Sequence, residues 1–429
     1  MADDLTRLSA LEAAQRIAKG SLTAEALVRA CLDRIAEREP AVQAWQHLDP
    51  QQAIAAAQAC DKSPARGPLH GVPIGVKDIM DTAEMPTTYG SRAYEGFRPR
   101  ADAACVALAR AAGAVVLGKT VTTEFAAGSP GKTRNPHNPA HTPGGSSSGS
   151  AAGVAERMMP LAFGTQTAGS IIRPASYCGV VGYKPSYGTV AISGTKALAE
   201  SFDTVGGFAR SVSDVALFVG ALCGRPGLVP AEPHPKPSIG FYRTAQWALA
   251  EAACKTTLEG AAERLARAGA RVAERPPFAA YDRIADVHLT HMNYEMARNL
   301  AWERNERWDL LAPRTTETLR EAIHITAETY DEVRRAAAEA RERIAELFGE
   351  FDALLVPAAP GEAPARLDMT GDPVFNRTWT LLRLPCVTIP AARGPTGLPI
   401  GIQLVGRPGE DTRALAIARF AELALGPIG

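Results

Sequence analysis

Three places in the 429-residue chain set polar side chains into glycine-rich or apolar surroundings. They are Lys77 at the end of GVPIGVKD, the run Ser146-Ser147-Ser148 in TPGGSSSGSAAGVA, and Ser170 in GTQTAGSIIRPASYCGVVGYKP. Hydroxyls and an amine are the raw material of nucleophilic and acid–base chemistry, although a serine is a poor nucleophile until a base takes its proton. Three better-known strings lie nearby, and each fails its context. Gly113 to Thr120 reads GAVVLGKT and matches the P-loop pattern, which needs its variable positions in a loop whose amides face phosphate. Here those positions are Ala-Val-Val-Leu, a strand-like run, so a nucleotide-binding protein is disfavoured. Gly145 to Gly149 matches the G-x-S-x-G elbow centred on Ser147, but an elbow follows a strand. The preceding PHNPAHTPGG cannot be a central strand, and no downstream histidine or carboxylate is singled out as a triad partner. His137 and His141 have metal-like spacing, but Pro136, Pro139 and Pro143 deny them a helix. They read as loop histidines.

Elements able to position such groups alternate along the chain. GVPIGVKD (71–78) reads as a buried strand ending on a polar pair. DAACVALARAAG and then AVVLGKT read as helix and strand, and RMMPLAFGTQTAG as a strand ending near 164, before a helix that opens at Ser170. This alternation predicts an α/β fold. Residues 1–65 read as helices, with Thr23 capping one whose Leu27, Cys31 and Ile35 share a face. SVSDVALFVGALCG (211–224) reads as a helix with a serine cap, and the proline-rich 225–238 as the best linker. Beyond it SIGFYR, ALLVPA, CVTIPA and GIQLVG read as strands, the last two forming a hairpin through RGPTG. A helical pattern covers about 316–349, and TRALAIARFAELAL makes a final helix. Residues 280–315 fit neither period and read as a lid or an irregular helical excursion.

Bulk composition narrows the function classes. Lys and Arg total 46, as do Asp and Glu, for a formal net charge of zero. That argues against a binder of nucleic acid or anionic membrane. Seven cysteines are scattered singly with no Cys-x-x-Cys, as expected of reduced thiols in the cytoplasm. The start, MADDLTRLSALEAAQRIAKG, lacks the apolar core of a signal peptide, and no apolar run reaches transmembrane length.

GVPIGVKD, RNPHNPAHTPGGSSSGSAAGVA and AGSIIRPASYCGVVGYKPSYG together resemble the amidase signature family of Ser-cisSer-Lys hydrolases. LPCVTIPAARGPTGLPIGIQLVG resembles that family's C-terminal segment. The likeness is densest from about 70 to 190, and the order of elements agrees along nearly the whole chain. It implies an α/β fold with a single large mixed β-sheet covered by helices on both faces. One amidase domain would span 1–429: N-terminal helices over 1–65, a catalytic core over 66–224, and a second part of the same sheet over 239–429 with a helical excursion at 280–350. Ser170 carries over as the nucleophile, Ser146 as the serine that relays the proton through a cis Gly145–Ser146 turn, and Lys77 as the base. Lysine serves as a base only when neutral, so its pKa must fall from near 10.4. Burial does this; Val72, Ile74 and Val76 would wall the amine, provided Asp78 points elsewhere, as adjacent strand residues do. The amides of Thr167, Ala168, Gly169 and Ser170 are the expected oxyanion hole, at the mouth of a helix. No cofactor and no metal is expected.

The chain departs from the common pattern at three positions, with Gln166, Ala168 and Ile172 standing where most members have Asp, Gly and Arg. The Asp and Arg usually pair, so their joint absence avoids stranding a charge. Ala168 restricts how its amide can turn. Arg173 would share a helix face with Ser170. It resembles the malonamidase-type branch, in which such an arginine holds a substrate carboxylate; the other reading is a structural arginine bonding nearby carbonyls. The expected activity is hydrolysis of a small carboxamide, with a malonamate-like half-amide as the sharpest guess, to acid and ammonia through an acyl-serine. The alternative is an amidotransferase component that passes ammonia to a partner enzyme. Expected partners are a small amide, no nucleic acid and no membrane, with a homodimer left open. Specificity is expected from the loop after Glu124 and from 280–320.

Overall fold

The computed structural model describes residues 4–230 and 232–428. Its central strands are apolar along both faces, a pattern that is stable only when both faces are covered. Val116, Leu161 and Phe163 turn to one core, while Val115, Leu117 and Ala162 turn to the other. Helices Ala104–Ala111, Val212–Cys223 and Asp411–Leu425 contribute to the first core, and Ala24–Val42, Pro50–Asp61 and Ser148–Ala155 to the second.

The strands in chain order are β1 (Trp45–Leu48), β2 (Pro73–Lys77), β3 (Val115–Thr120), β4 (Leu161–Gln166), β5 (Val181–Lys184) and β6 (Thr204–Ala209). They continue with β7 (Ser238–Tyr242), β8 (Arg271–Arg275), β9 (Ala353–Pro357), β10 (Cys386–Arg393) and β11 (Pro399–Gly406). All join one sheet in the order β1-β3-β2-β4-β6-β5-β10-β11-β9-β7-β8. β2 pairs parallel to both β3 and β4, whereas β4–β6, β6–β5, β5–β10 and β10–β11 are antiparallel. The sheet is therefore large and mixed, as expected. The proline-rich stretch 225–238, in which Ala231 lies outside the described residues, leads into β7 without ending the sheet.

Local signals are met where side chains speak for themselves. Thr23 Oγ1 accepts from the Ala26 N–H at 3.1 Å, Ser211 Oγ from Asp214 N–H at 3.1 Å, and Leu27, Cys31 and Ile35 are buried. The hairpin is β10–β11. One expectation is corrected. The reading of 1–65 as helices omitted β1, a four-residue edge strand too short to show a period; its form comes from pairing with β3 and from Glu39, whose carboxylate accepts the Ala44 and Trp45 N–H groups. Of the two readings of 280–315, the helical excursion is met, with helices Ile284–Asn299, Ala301–Glu306 and the start of Pro313–Ala322. The helix Ile284–Asn299 buries residues against helices Ala327–Glu342 and Val374–Leu381.

Candidate active site

Lys77 ends β2, and alternation turns it away from the face carrying Val76 and Asp78. Its Nζ lies 2.7 Å from Ser146 Oγ and 2.7 Å from Thr165 Oγ1, with the whole side chain buried. The wall expected from Val72, Ile74 and Val76 is therefore corrected: those residues pack in the opposite core, on the Asp78 side. Lys77 is instead held by Ser146 of the serine turn and by Thr165 of β4, and the helix Ser148–Ala155 packs on β2. Burial pushes its pKa well below the ordinary lysine value, against a smaller opposing pull from Asp203. A neutral amine in this position has a lone pair available to accept a proton.

Asp78 points elsewhere, as the alternation requires. Its carboxylate lies 3.0 Å from Lys119 Nζ and accepts from the Thr88 N–H and hydroxyl. Lys119, the lysine of the P-loop-like string, sits on β3 and also donates to Met80 O and Thr87 Oγ1. That string is a strand and not a phosphate loop. Both members of the ion pair are fully buried, so Lys119→Met should leave an unpaired carboxylate in the core. The expected cost is about 3–5 kcal/mol, read as a lowered denaturant midpoint; a shift under about 1 kcal/mol would contradict it.

The Gly145–Ser146 peptide is cis. Gly144 has φ +80°, and a Cβ there would meet Pro174 Cα at 2.8 Å, so glycine is required. Ser147 Oγ lies 3.3 Å from both the N–H and the carbonyl of Thr165, and Ser148 Oγ donates to Val121 O. This is a bonded turn, and Ser147 is occupied as a fastener. His137 and His141 are loop residues whose ring nitrogens bond the carbonyls of Cys178 and Ala363.

Ser170 lies in the loop between β4 and the helix Ile172–Cys178. The helix opens two residues later than the sequence suggests, because Gln166 Oε1 accepts the N–H groups of Ile171 and Ile172. The Ser147 N–H bonds Ser170 O at 3.4 Å, bringing the two serine-bearing loops together. Among the described residues Ser170 Oγ has no hydrogen-bond partner, and Ser170 lines a cavity of about 310 Å³. The backbone N–H groups of Ala168, Gly169 and Ser170 likewise have no acceptor among the described residues. Ala168 is not among the residues of positive φ, so its side chain is accommodated, whereas a Cβ on Gly169 would collide with Asn376 Oδ1. Thr167 is held by its hydroxyl, which donates to Asp203, and by its carbonyl, which accepts from His288 Nε2 at 2.7 Å.

Arg173 is buried and stands between its two readings. Nη2 donates to Gly145 O at 2.7 Å and Thr370 Oγ1 at 3.1 Å, while Nε and Nη1 have no partner. Burial lowers its pKa to about 10, which leaves it charged at neutral pH. Ala126, Ala127 and Gly128, from the loop after Glu124, line the same cavity, as do Met292, Met296 and Arg314 from the helical excursion. Thr165, Asp203, His288, Thr370 and Arg377 carry no local motif and were not legible as site residues.

A broad mixed sheet covered by helices, with a serine-rich turn on a buried lysine beside a cavity, marks an amide-hydrolysing enzyme. A family model described as Amidase matches residues 26–415, and the chain belongs to that family. It is 34% identical over 487 aligned residues to a protein of Anaeromyxobacter dehalogenans (strain 2CP-C), covering 100% of this chain and 98% of that one. That relative is named as the A-subunit of glutamyl-tRNA(Gln) amidotransferase. Among solved structures, the peptide amidase of Stenotrophomonas maltophilia matches with a TM-score of 0.82 at 30% identity, over 98% of this chain and 97% of that one. A protein from a vestigial complex, described as revealing the origins of an s-triazine catabolic enzyme, matches with a TM-score of 0.90 at 26% identity, over 98% and 99%. No helix among the described residues is long and apolar enough to cross a membrane.

Proposed function

We propose that the chain, acting as one amidase unit, hydrolyses the carboxamide of a small carboxylate-bearing substrate through an acyl-Ser170 intermediate. The observation that carries this reading is the buried Lys77 Nζ held 2.7 Å from Ser146 Oγ, one loop away from the unpartnered Ser170 hydroxyl. Neutral Lys77 takes a proton from Ser146 as Ser146 takes the proton of Ser170, whose Oγ attacks the amide carbon. The developing oxyanion is met by the unengaged N–H groups of Ala168, Gly169 and Ser170. The relay then runs backwards, giving the proton to the departing ammonia. Water, deprotonated through the same pair, frees the acid.

Arg173 supports the carboxylate preference and the malonamidase-like branch, since Nε and Nη1 lack partners and a guanidinium matches a carboxylate. Arg173→Ala should raise KM for malonamate on the order of tenfold to a hundredfold, equivalent to about 1.5–3 kcal/mol. Neutral amides serve as the internal control. An unchanged preference for acidic amides would remove the role given to Arg173 and leave the acyl-serine chemistry standing.

A second reading is favoured by the curated relatives. The Anaeromyxobacter protein and others at 32–34% identity are named as amidotransferase A-subunits, so the same chemistry would release ammonia for a partner enzyme. Ammonia release measured over a panel of amides, malonamate included, separates the two. Unaided turnover of a small amide supports the free amidase. Weak activity alone, with a stable complex and activity restored by the partner enzyme, supports the amidotransferase reading, which the relatives' names favour over the first. The seven free thiols fit a cytoplasmic setting.

A further inference from the structure

Each N–H of the loop between β4 and Ser170 shares a rigid peptide plane with the carbonyl of the residue before it, and the two point in opposite directions. Whatever fixes the carbonyl therefore aims the N–H. The Thr167 carbonyl, which shares its plane with the Ala168 N–H, accepts from His288 Nε2 at 2.7 Å. The Ala168 carbonyl, paired with the Gly169 N–H, accepts from the Thr380 hydroxyl at 2.8 Å. The Gly169 carbonyl, paired with the Ser170 N–H, accepts from the Arg173 N–H at 3.0 Å. Three consecutive planes are thus gripped from behind, and their N–H groups are those with no acceptor among the described residues.

We propose that Thr380 and His288 are positioning residues that aim the oxyanion-hole N–H groups, and that Gln166 sets the polarity of Thr380. This inference rests on the acyl-Ser170 reading and deepens it. A threonine hydroxyl has one hydrogen, and Thr380 spends it on Ala168. It must therefore accept from its other neighbour, which is Gln166 Nε2 at 3.0 Å. The same carboxamide uses its oxygen to cap Ile171 and Ile172. One side chain must donate at one end and accept at the other. A carboxylate, which has no donor, would pull the Thr380 hydrogen away from Ala168. Gln166 and His288 are fully buried and Thr380 nearly so, so water cannot substitute. For His288 the proton must sit on Nε2, because its partner is a carbonyl. Burial holds its pKa down near 3, so it stays neutral, and its ring packs tilted against Phe202 with centroids 4.6 Å apart. Two helices remote in sequence, Ile284–Asn299 and Val374–Leu381, thereby reach the reacting centre without touching substrate.

The test uses Thr380→Val, which keeps shape and loses the hydroxyl, Thr380→Ser, which restores it, and Gln166→Glu and His288→Phe. Two quantities are measured on the full chain: the rate at which a fluorophosphonate labels Ser170, mapped by peptide mass, and the kcat and KM for amide hydrolysis. Labelling and kcat should fall about 10–100-fold in T380V, Q166E and H288F, with KM within about threefold, as expected when donors are misaimed by a fraction of an ångström. T380S should recover to within about threefold of wild type, while T380V, which strands the Ala168 carbonyl and a Gln166 N–H, should melt lower yet remain folded at the assay temperature. Wild-type labelling and kcat in T380V, or T380S no faster than T380V, would overturn the inference while leaving Ser170 as nucleophile. A wild-type chain labelled away from Ser170 would overturn the acyl-serine reading itself.

Discussion

Ser170→Ala should abolish amide hydrolysis, with kcat reduced on the order of 10⁶-fold, as for other nucleophiles that act as part of a relay. The expectation is large because nothing else in the loop can replace the hydroxyl: Ser147 and Ser148 are tied to Thr165 and Val121. It is also clean. Ser170 Oγ makes no hydrogen bond among the described residues, so the substitution removes chemistry and leaves the fold's bonding in place. The melting temperature should stay within about 2 °C of wild type. Activity within about tenfold of wild type, measured as ammonia release with the same substrate, would remove Ser170 from the mechanism.

Lys77→Met should lower kcat/KM by about 10³–10⁴-fold, the upper part of the range for a lost general base. Methionine keeps the apolar stem while removing the amine, so little cavity is left. Two further outcomes distinguish a lost base from a damaged fold. In the wild type only neutral Lys77 accepts a proton, so activity is absent below the Lys77 pKa and rises as pH increases through it. Burial places that pKa well below the ordinary lysine value of 10.5, so the acid limb should lie well below the range of a solvated lysine. In K77M this limb should vanish, leaving a low activity that follows hydroxide or is flat. In addition, the K77M/S170A double variant should be no slower than S170A alone, because residues of one relay are not additive. A K77M enzyme with an unchanged acid limb would assign that limb to another group.

The legible part of this site is the part written locally. Lys77, the serine turn and Ser170 each sit in a short string of distinctive composition; the alternation of strand and helix around them was enough to expect an α/β fold, and the single mixed sheet followed only from the family resemblance. Alternation also placed Asp78 away from Lys77, but the same rule excludes Val72, Ile74 and Val76 as its wall, since they share the Asp78 face. What could not be read are contacts between distant segments. Thr380 meets Gln166 and Ala168 across 214 and 212 residues, His288 meets Thr167 across 121, and Thr370 meets Arg173 across 197. A buried threonine or histidine on a helix has the same pattern whether it fills a core or grips a carbonyl. Gln166 is the instructive case. Its replacement of the usual Asp was visible, and so was the absence of the usual Arg at Ile172. That the carboxamide donates and accepts at once, and so needs no ion pair, depends on Thr380 and on the two N–H groups it caps.

The most direct measurement of the central claim is the mapping of the acyl-enzyme. The wild-type chain would be mixed with an amide it turns over, quenched in acid during steady turnover, digested and examined by peptide mass. The expected result is an added mass equal to the acyl group on the peptide containing Ser170, present during turnover, gone once substrate is exhausted, and absent from Ser170→Ala. An acyl mass on a different residue, or turnover that persists in Ser170→Ala, would contradict it.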